Sequence, residues 1–516
     1  MQNPPLPVLT LLVPLALAAI PACGDSDSSP ANNGGGGGNG GGAPEITSVS
    51  VEGSTGAQVR QGYGDAPTSV AATVHLNGNG LDAASSVTVG SLPGEITEKT
   101  PTVLTFTLRV PHGAPLGPQP ISVTSERGPI SIAQGLTITP ITAAPNGVDP
   151  GKGPSAASGT DEGPFRSLGH ALSVASAGDT VLLKDGAYDH EHGDDFAVAD
   201  ATGNALPTVP AGVTVKGESA AAKLVGSQGK AAGLCNAHFQ FGLVLAENTR
   251  IETLDVSEFC VGIIAKTGAV TIQGVSVHDI RGDGMNLGGA ANISLDGVIV
   301  SSNHAEGIYV ADTATTTFTN GHLFSNGYSD ILSSTSGSLT VTGTELNNGT
   351  HEAIYVGKTS APSKVTITDV HIHDHTWGLN AFAGNGSPQL TITGTKFDTS
   401  EVAVHLGGSW AVKARTSTFQ GSNAGVWLSS STGGSLDFGT NESHGDNTFN
   451  VSSIGIRDDI THPDATSPIT VTGNTWIGPQ PVAGCWTKDD HPTEGVHNWT
   501  ISNPGTCPSK GNVIIN

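Results

Sequence analysis

A repeat unit of about 23 residues restricts the fold of this chain more than any other feature of its sequence. Self-similarity at this period indicates a solenoid. Each unit contains two or three short alternating strands separated by Gly, Asn or Asp, and it lacks the regular leucines of a leucine-rich repeat. We therefore predict an all-β fold whose main part is a right-handed parallel β-helix. Corresponding strands are predicted to begin at Thr249, Val270, Ile293, Thr316, Leu339, Val365, Leu390, Val412, Leu436 and Ile469.

In such a fold, side chains one repeat apart stack into columns. Glu306 and Tyr309 return as Glu352 and Tyr355, and both pairs are 46 residues apart (352 − 306 and 355 − 309). This distance equals two coils. Because adjacent strands lie about 4.8 Å apart, the two tyrosines are predicted to be about 10 Å apart.

One predicted column points outward on the strands that follow a corner, such as GIYV and GVWL. Side chains alternate along a strand, so the third residue of each should face solvent. Aromatic rings along a face can stack on a sugar chain, while Asn and His can hydrogen-bond to it. An ordinary ladder of β-forming residues would give the same pattern. The candidate carbohydrate-binding residues are Asn286, Tyr309, Tyr355, Asn380, His405 and Trp427.

A second predicted column is acidic and lies at the corner before these strands. Neighbouring members should be about 5 Å apart, a separation that suits two carboxylates acting on a glycosidic bond. Such a column could also bind Ca²⁺, which prefers several oxygen ligands. Capping of the corners by acidic side chains is the structural alternative. The candidate catalytic residues are Asp283, Glu306, Asp330 and Glu352.

The sequence HIHDH at 371–375 offers metal ligands. Its alternation places His371 and His373 on one face of a strand, and Glu345 should lie beside His371 on the preceding coil. Two imidazoles and a carboxylate can bind zinc or another transition metal. A solvated strand without a metal is the alternative. The sequence DHEHGDD at 189–195 offers the same ligand types less regularly.

The N-terminus contains the apolar run LPVLTLLVPLALAAI followed by IPACGDSDSS. It resembles a bacterial lipoprotein signal, which implies a signal peptide at 1–22 and lipid on Cys23. A conventionally secreted protein cleaved nearby is the alternative. Residues 23–44 would then be a Gly-rich tether, and the rest of the chain would be extracytoplasmic, held at a bacterial outer membrane or cell surface by lipid alone.

Four further cysteines remain: Cys235, Cys260, Cys485 and Cys507. Four cysteines allow three pairings. The simplest choice joins Cys235 to Cys260, which are about one coil apart, and closes a C-terminal tail at 485–516 by joining Cys485 to Cys507.

Two segments resemble known families. Residues 45–140 read as short strands, and VHLNGNGL with LRVPHGAPLGPQPISVTSERG resembles the IPT/TIG immunoglobulin-like domains, a β-sandwich. Residues 146–484 resemble the pectin-lyase-like superfamily, and PFRSLGHALSVA with DTVLLKDGAY is similar to the N-terminal cap of secreted β-helix proteins, including a family of unknown function. The GHG signature of polygalacturonase-like enzymes and an aligned arginine column are missing, so the resemblance implies the fold and leaves the activity open.

Charge excludes one class of partner. The formal net charge is −24, which disfavours nucleic acid because phosphate binding needs a basic face. The sequence favours a monomeric module that binds polysaccharide or another cell-surface component. A glycoside hydrolase or calcium-dependent lyase using the acidic column is the first alternative, and a structural spacer is the second.

Overall fold

The computed structural model describes most of the chain from residue 44 to residue 477. The described ranges are 44–54, 56–64, 71–148, 159–189, 198–199, 208–226, 239–357, 363–384, 388–430, 435–440, 442–451, 454–458, 469–477 and 513–514. They belong to one compact unit, Ala43–Asn516. The predicted signal peptide, Cys23 and the tether lie outside these ranges. Within them, no helix has the length and apolar character needed to cross a bilayer.

Eight strands near the N-terminus form one hydrogen-bonded sheet. Neighbours run antiparallel except Gln58–Arg60, which pairs in parallel with the last strand. Alternate side chains such as Val74, Leu76 and Phe106 are completely buried in a common core. The short strands predicted for residues 45–140 are therefore present, while their IPT/TIG type stays a prediction. The strands are Glu45–Val51, Gln58–Arg60, Ala72–Asn79, Ala84–Val89, Leu92–Lys99, Val103–Leu108, Gly117–Ser125 and Ile130–Thr139, with a 3-10 helix at Leu81–Ala83.

A short α-helix, Leu168–Val174, covers the N-terminal end of the β-helix. It begins after Ser167, whose hydroxyl accepts a hydrogen bond from the His170 amide at 3.1 Å, satisfying one of the first-turn N–H groups. The helix buries Leu168 and Leu172 in the same core that the coils share. The predicted helical cap is thus present, because an open solenoid end would expose apolar side chains.

Three sheets form the β-helix, and their neighbouring strands run parallel, apart from Val198–Ala199. The first sheet contains Ile141–Ala143, Thr180–Leu183, Thr214–Gly217, Thr249–Glu252, Ala269–Gln273, Asn292–Asp296, Thr315–Thr319, Ser338–Thr342, Lys364–Thr368, Gln389–Thr393, Ala411–Arg415, Leu436–Asp437, Ile469–Thr470 and Val513–Ile514. The second contains Gly186–Tyr188, Ala222–Val225, Asp255–Ser257, Ser276–His278, Ile299–Ser301, His322–Phe324, Glu345–Asn347, His371–His373, Lys396–Asp398, Thr418–Gly421, Thr448–Val451 and Thr475–Ile477. The third contains Val198–Ala199, Thr208–Val209, Phe239–Leu245, Val261–Ala265, Met285–Leu287, Ile308–Val310, Ile331–Ser333, Glu352–Val356, Trp377–Phe382, Val402–Gly407, Ala424–Ser430 and Ile454–Asp458.

The ten predicted strand starts form one continuous column of the first sheet, each pairing with the next. The predicted winding is therefore confirmed. The core between the sheets consists of aliphatic side chains and stacked rings. Phe419 lies between Phe397 and Phe449, with ring centroids 5.5 Å and 5.0 Å away. Close contact of this kind stabilises each coil through its neighbours.

Six successive corners between the second and third sheets, after the strands that end at 257, 278, 301, 324, 347 and 373, turn through a residue with positive φ. Ser302, Ser325 and Asn348 occupy this position on successive coils, with φ of 55°, 57° and 57°. Polar side chains follow inside the corner, where Asn303 Nδ2 donates to Asn326 Oδ1 at 2.9 Å. The stacked amides satisfy one another in a region from which water is excluded.

Candidate functional site

The outward column of the third sheet has the register that the repeat predicts. Asn286 pairs with Tyr309, and Tyr355 lies two strands further along, beyond Leu332. Asn380, His405 and Trp427 continue the column on the next three strands. At the usual strand spacing the two tyrosines lie about 10 Å apart along one face.

Exposure differs along this column, and the expectation that Asn380 and His405 would offer free hydrogen bonds is wrong. Asn380 is 5% exposed and His405 is 4% exposed. His405 Nδ1 donates to Asn380 Oδ1 at 2.8 Å, and its Nε2 accepts from the Ser429 hydroxyl at 2.7 Å. Asn380 Nδ2 in turn donates to Glu352 Oε1 at 2.8 Å. These groups are buried because large neighbouring rings cover them.

Two rings that the sequence reasoning missed, Trp377 and Phe382, provide this cover. Their centroids lie 5.0 Å and 5.4 Å from that of His405, both edge-on, and Trp427 lies 4.5 Å away. Trp377 Nε1 also donates to Glu401 Oε2 at 3.0 Å. The repeat could have predicted the position of Trp377, because this residue stands one repeat after Glu352 and pairs with it in register. The result is a half-exposed aromatic cluster rather than a single file of rings.

We define the aromatic face as the half-exposed rings of the third sheet. Tyr355 and Phe382 connect its two parts, with centroids 6.1 Å apart. At the other end, the Tyr309 hydroxyl accepts a hydrogen bond from Ser334 at 3.2 Å. The face presents flat apolar surface with carboxylates at its edge, an arrangement that suits the alternating apolar and hydroxyl surfaces of a sugar. Its members are Tyr309, Tyr355, Trp377, Phe382 and Trp427.

Two members of the acidic column, Asp283 and Glu306, occupy paired positions on adjacent coils, and their side chains are hydrogen-bonded. Burial and this carboxyl partner raise the pKa of Asp283 to about 7. Asp283 therefore keeps its proton up to about pH 7. Asn286 Nδ2 donates to Asp283 Oδ2 at 3.2 Å, and Lys266 Nζ donates to Asn286 Oδ1.

Asp330 does not belong to this column, so its expected outward position is wrong. Its side chain is completely buried, and Ser329 takes the position that pairs with Glu306. Asp330 Oδ1 accepts from Asn326 Nδ2 at 2.7 Å, and Oδ2 lies 3.1 Å from His375 Nε2. Burial raises the pKa of Asp330, while His375 opposes that rise.

His375 reaches Asp330 across an intervening coil because that coil has glycine at the corresponding position. A Cβ on Gly349 would lie 2.3 Å from His375 Cε1. The imidazole thus occupies the space that a side chain at 349 would need. Asp330 and His375 support the corner from inside and face away from any ligand.

Glu352 is separated from the acid pair by two coils, which places it about 10 Å from Glu306. The predicted four-member column therefore divides into a hydrogen-bonded pair, Asp283 with Glu306, and an isolated carboxylate that supports Asn380. Calcium binding to the pair stays a prediction.

The histidine group of the second sheet is assembled as the repeat predicts. Glu345 pairs with His371 across adjacent coils, and one ligand atom from each of Glu345, His371 and His373 lies within 4.8 Å of the others. Burial lowers the pKa of His371, assisted by nearby His373 and Lys396. Burial also acts to lower the pKa of His373, but hydrogen bonds to Glu345 and Asp374 outweigh it and raise that pKa.

Cys260 is completely buried in the β-helix. Cys235, Cys485 and Cys507 lie outside the described residues, as does most of the sequence at 189–195. Both predicted pairings therefore stay predictions.

Comparison with known proteins agrees with the fold. Residues 242–397 match the family model described as the right handed beta helix region. This segment contains the acid pair, the histidine group and much of the aromatic face. A search of curated proteins finds no matching relative.

Several solved structures are distantly similar. The Dettilon tailspike protein is 13% identical, with 66% of this chain and 69% of that chain covered and a TM-score of 0.37. The A-module of mannuronan C-5 epimerase AlgE4 from Azotobacter vinelandii is 15% identical, with coverage of 58% and 90% and a TM-score of 0.34. The catalytic unit of a GH87 α-1,3-glucanase from Streptomyces thermodiastaticus is 10% identical, with coverage of 86% and 88% and a TM-score of 0.37. These likenesses are too distant to assign an activity.

Proposed function

We propose that this protein binds a polysaccharide along the aromatic face of its third sheet. The observation that carries the proposal is the in-register placement of Tyr309, Tyr355 and Trp427 on one outward column, with Trp377 and Phe382 beside it. A ladder of strands fixes the spacing between rings before any ligand arrives. A rigid platform loses little conformational entropy on binding, which favours an extended and repetitive ligand.

Internal support strengthens this proposal over a simple ladder of exposed β-forming residues. The hydrogen-bond chain from Glu352 through Asn380 and His405 to Ser429 lies beneath the rings and fixes their orientation. Glu401 holds Trp377 by its indole N–H. A polar network of this kind positions a half-exposed aromatic cluster, whereas solvent-exposed strand residues need no such support.

The test is a glycan array probed with the full chain, followed by titration of the polysaccharide that binds. Tyr309→Ala, Tyr355→Ala and Trp427→Ala should each weaken binding about two- to tenfold, because one aromatic contact contributes 0.5–1.5 kcal/mol. Phe324→Ala is the matched control, since this half-buried ring lies on the second sheet. Equal losses for Phe324→Ala and Trp427→Ala would contradict the proposed surface.

A glycoside hydrolase is the second candidate, favoured by the acid pair. Asp283 with a pKa of about 7 could protonate a glycosidic oxygen at neutral pH while Glu306 lies beside the developing charge. Two hydrogen-bonded carboxyl groups lie closer together than the catalytic carboxyl groups of known glycosidases, which are about 5–5.5 Å apart in retaining enzymes and about 6.5–9.5 Å apart in inverting enzymes. The geometry therefore favours binding over hydrolysis.

The enzyme candidate is tested by reducing-sugar release from the polysaccharide that the array identifies. Asp283→Asn and Glu306→Gln should each lower release by a factor of about 10² or more if the pair is catalytic. Activity that survives both substitutions removes the pair from consideration. Binding without release leaves the binding proposal as the function.

We also propose that Cys23 carries the lipid that holds the protein at the bacterial surface. The short apolar run and the flexible glycine-rich segment after it support this placement. Fractionation of expressing cells tests it. Cys23→Ser should move the protein from the membrane fraction to the soluble fraction, and unchanged partition would contradict lipidation.

A further inference from the structure

We propose that Glu345, His371 and His373 form a binding site for a transition-metal ion such as Zn²⁺ on the outer face of the second sheet. The site lies on a different sheet from the aromatic face and does not depend on the proposed polysaccharide. The repeat assembles it, because a strand one coil earlier supplies Glu345 and the strand His371–His373 supplies both imidazoles.

Two outward positions of one strand bring the imidazoles together. Ile372 points into the core, so its neighbours His371 and His373 share the outer face. Their ring centroids are 4.4 Å apart and their planes differ by 32°. A strand holds such a pair at fixed spacing without help from a loop.

Glu345 supplies the third ligand atom of the group. Its Oε1 lies 3.0 Å from His373 Nε2, which directs the carboxylate and the imidazole toward the same point. Ligands of a tetrahedral zinc ion stand about 3.3 Å apart when each bond is 2.0–2.1 Å long. The three ligand atoms lie within 4.8 Å of one another, so small side-chain rotations would bring them to this separation.

His373 is oriented as a metal-binding histidine. Its Nδ1 donates to Asp374 Oδ2 at 2.7 Å, and this contact turns Nε2 toward Glu345, so Nε2 is the nitrogen that would bind a metal after the proton between it and Glu345 leaves. A carboxylate behind a histidine ligand is the usual support for zinc, since it fixes the tautomer and raises basicity. Asp374 can fold back in this way because its backbone has φ of 56°.

His371 provides the strongest sign that the group can take a ligand. Its Nε2 is buried and has no hydrogen-bond partner among the described residues. A buried polar atom without a partner is unfavourable. A metal ion would satisfy this nitrogen and, on binding, replace the proton between His373 and Glu345, which would leave to solvent.

Neighbouring charges permit a cation. Lys396 pairs with His371 on the next coil, but its Nζ lies 3.6 Å from Asp398 Oδ2. On the other side, His322 pairs with Glu345, and its Nε2 lies 3.0 Å from Asn347 Nδ2. The carboxylates of Glu345, Asp374 and Asp398 outnumber the one ammonium group.

The ligand types define the class of metal. Two nitrogens and one oxygen suit Zn²⁺, Ni²⁺, Co²⁺ or Cu²⁺, whereas Ca²⁺ and Mg²⁺ prefer oxygen alone. Three protein ligands leave a position for water or a fourth ligand.

The same sheet contains a natural comparison at His278. Its Nε2 lies 3.1 Å from Asp255 Oδ2 and its Nδ1 lies 2.8 Å from Asp279 Oδ2. The arrangement matches that of His373, Glu345 and Asp374, but Ser276 stands where the second imidazole would be. A histidine thus pairs with a carboxylate on the adjacent coil without any second histidine beside it. Such a bond between coils therefore does not explain why His371 stands next to His373.

The test is calorimetric titration of the full chain with ZnCl₂, with NiCl₂ and CaCl₂ in parallel. Native protein should bind Zn²⁺ and Ni²⁺, and Ca²⁺ should not compete for that site. His371→Ala, His373→Ala and Glu345→Gln should each weaken this site at least tenfold, and His278→Ala should leave it unchanged. Asp374→Asn should weaken it 10–100-fold, as expected for a residue that positions a ligand.

Two further measurements separate the site from other histidines and from misfolding. The titrations are repeated with His190→Ala and His192→Ala, which remove the looser candidate ligands at 189–195. Cobalt absorption in the visible range should report nitrogen and oxygen ligands and should disappear in His371→Ala while its far-ultraviolet circular dichroism stays native. Zinc binding that persists in folded His371→Ala and His373→Ala, or that disappears with His278→Ala, would overturn the proposal.

Discussion

Replacing Asp283 by Asn should make the protein more stable at alkaline pH and leave its stability almost unchanged at acidic pH. The pKa of Asp283 is raised from its ordinary value of 3.8 to about 7, by burial first and by Glu306 second. A raised folded-state pKa means that its stabilising contribution is complete below pH 3.8 and is lost as the pH rises through about 7. Above that pH, folding keeps the ionised Asp283 carboxylate partly buried and in contact with the Glu306 carboxyl group.

The magnitude follows from the size of this pKa change. A rise from 3.8 to about 7 corresponds to about 4 kcal/mol at 1.36 kcal/mol per pKa unit. Water reaches part of the carboxylate, so a measured gain of about 2–4 kcal/mol is expected. The amide introduced by Asp283→Asn would keep an N–H donor for Glu306, and for this reason little should be lost at pH 4.5.

The assay is urea denaturation of native protein and Asp283→Asn at pH 4.5, 6, 7 and 8.5, followed by circular dichroism. Glu306→Gln should give the same pH-dependent gain in the free energy of unfolding. The double variant should add little to it, because both single variants and the double variant remove the same interaction between the two carboxyl groups. Glu95→Gln is the control for net charge, since Glu95 is exposed on the N-terminal sheet. A difference between native protein and Asp283→Asn that does not change with pH would refute the raised pKa of Asp283.

Three further predictions address the core and the second sheet. His375→Ala should lower the free energy of unfolding by about 3–5 kcal/mol, because Asp330 loses the imidazole 3.1 Å away and stays buried; a loss below about 1 kcal/mol in urea denaturation would contradict this pairing. Phe419→Ala should cost about 3–5 kcal/mol in the same assay because its ring is stacked on both sides, whereas a shift in the midpoint too small to detect would show that the coil collapses around the cavity. His278 should titrate with a pKa of about 9 by NMR, mainly through its hydrogen bond to Asp255, and Asp255→Asn should return the pKa toward 6.5; an unchanged value would exclude that cause.

The positions within strands could be predicted from the sequence because two periods act together. The repeat aligns Tyr309 with Tyr355 and Glu345 with His371, and alternation along each strand decides which side chains face outward. Both relations depend on backbone geometry alone. Counting residues therefore gave the register of the aromatic column and the composition of the histidine group.

Corners between strands do not follow this alternation, and the predictions failed there. Asp330 stands one position later than Glu306 and Glu352 in their repeats, and that single residue turns its side chain inward. His375 fills the space above Gly349, a contact between coils that no local pattern encodes. The direction of a corner side chain is decided by the room that adjacent coils leave for it.

Exposure also depends on what the neighbouring coils contribute. Alternation assigns Asn380 and His405 to the outer face correctly, yet Trp377 and Phe382 from the same sheet cover His405. The sequence alone determined the winding, the columns and the faces, because these follow from the fixed period of a hydrogen-bonded strand. Only the tertiary structure decided which column members remain accessible, which acids are hydrogen-bonded to each other and which turn inward, because these depend on the volume and charge of side chains packed from adjacent coils.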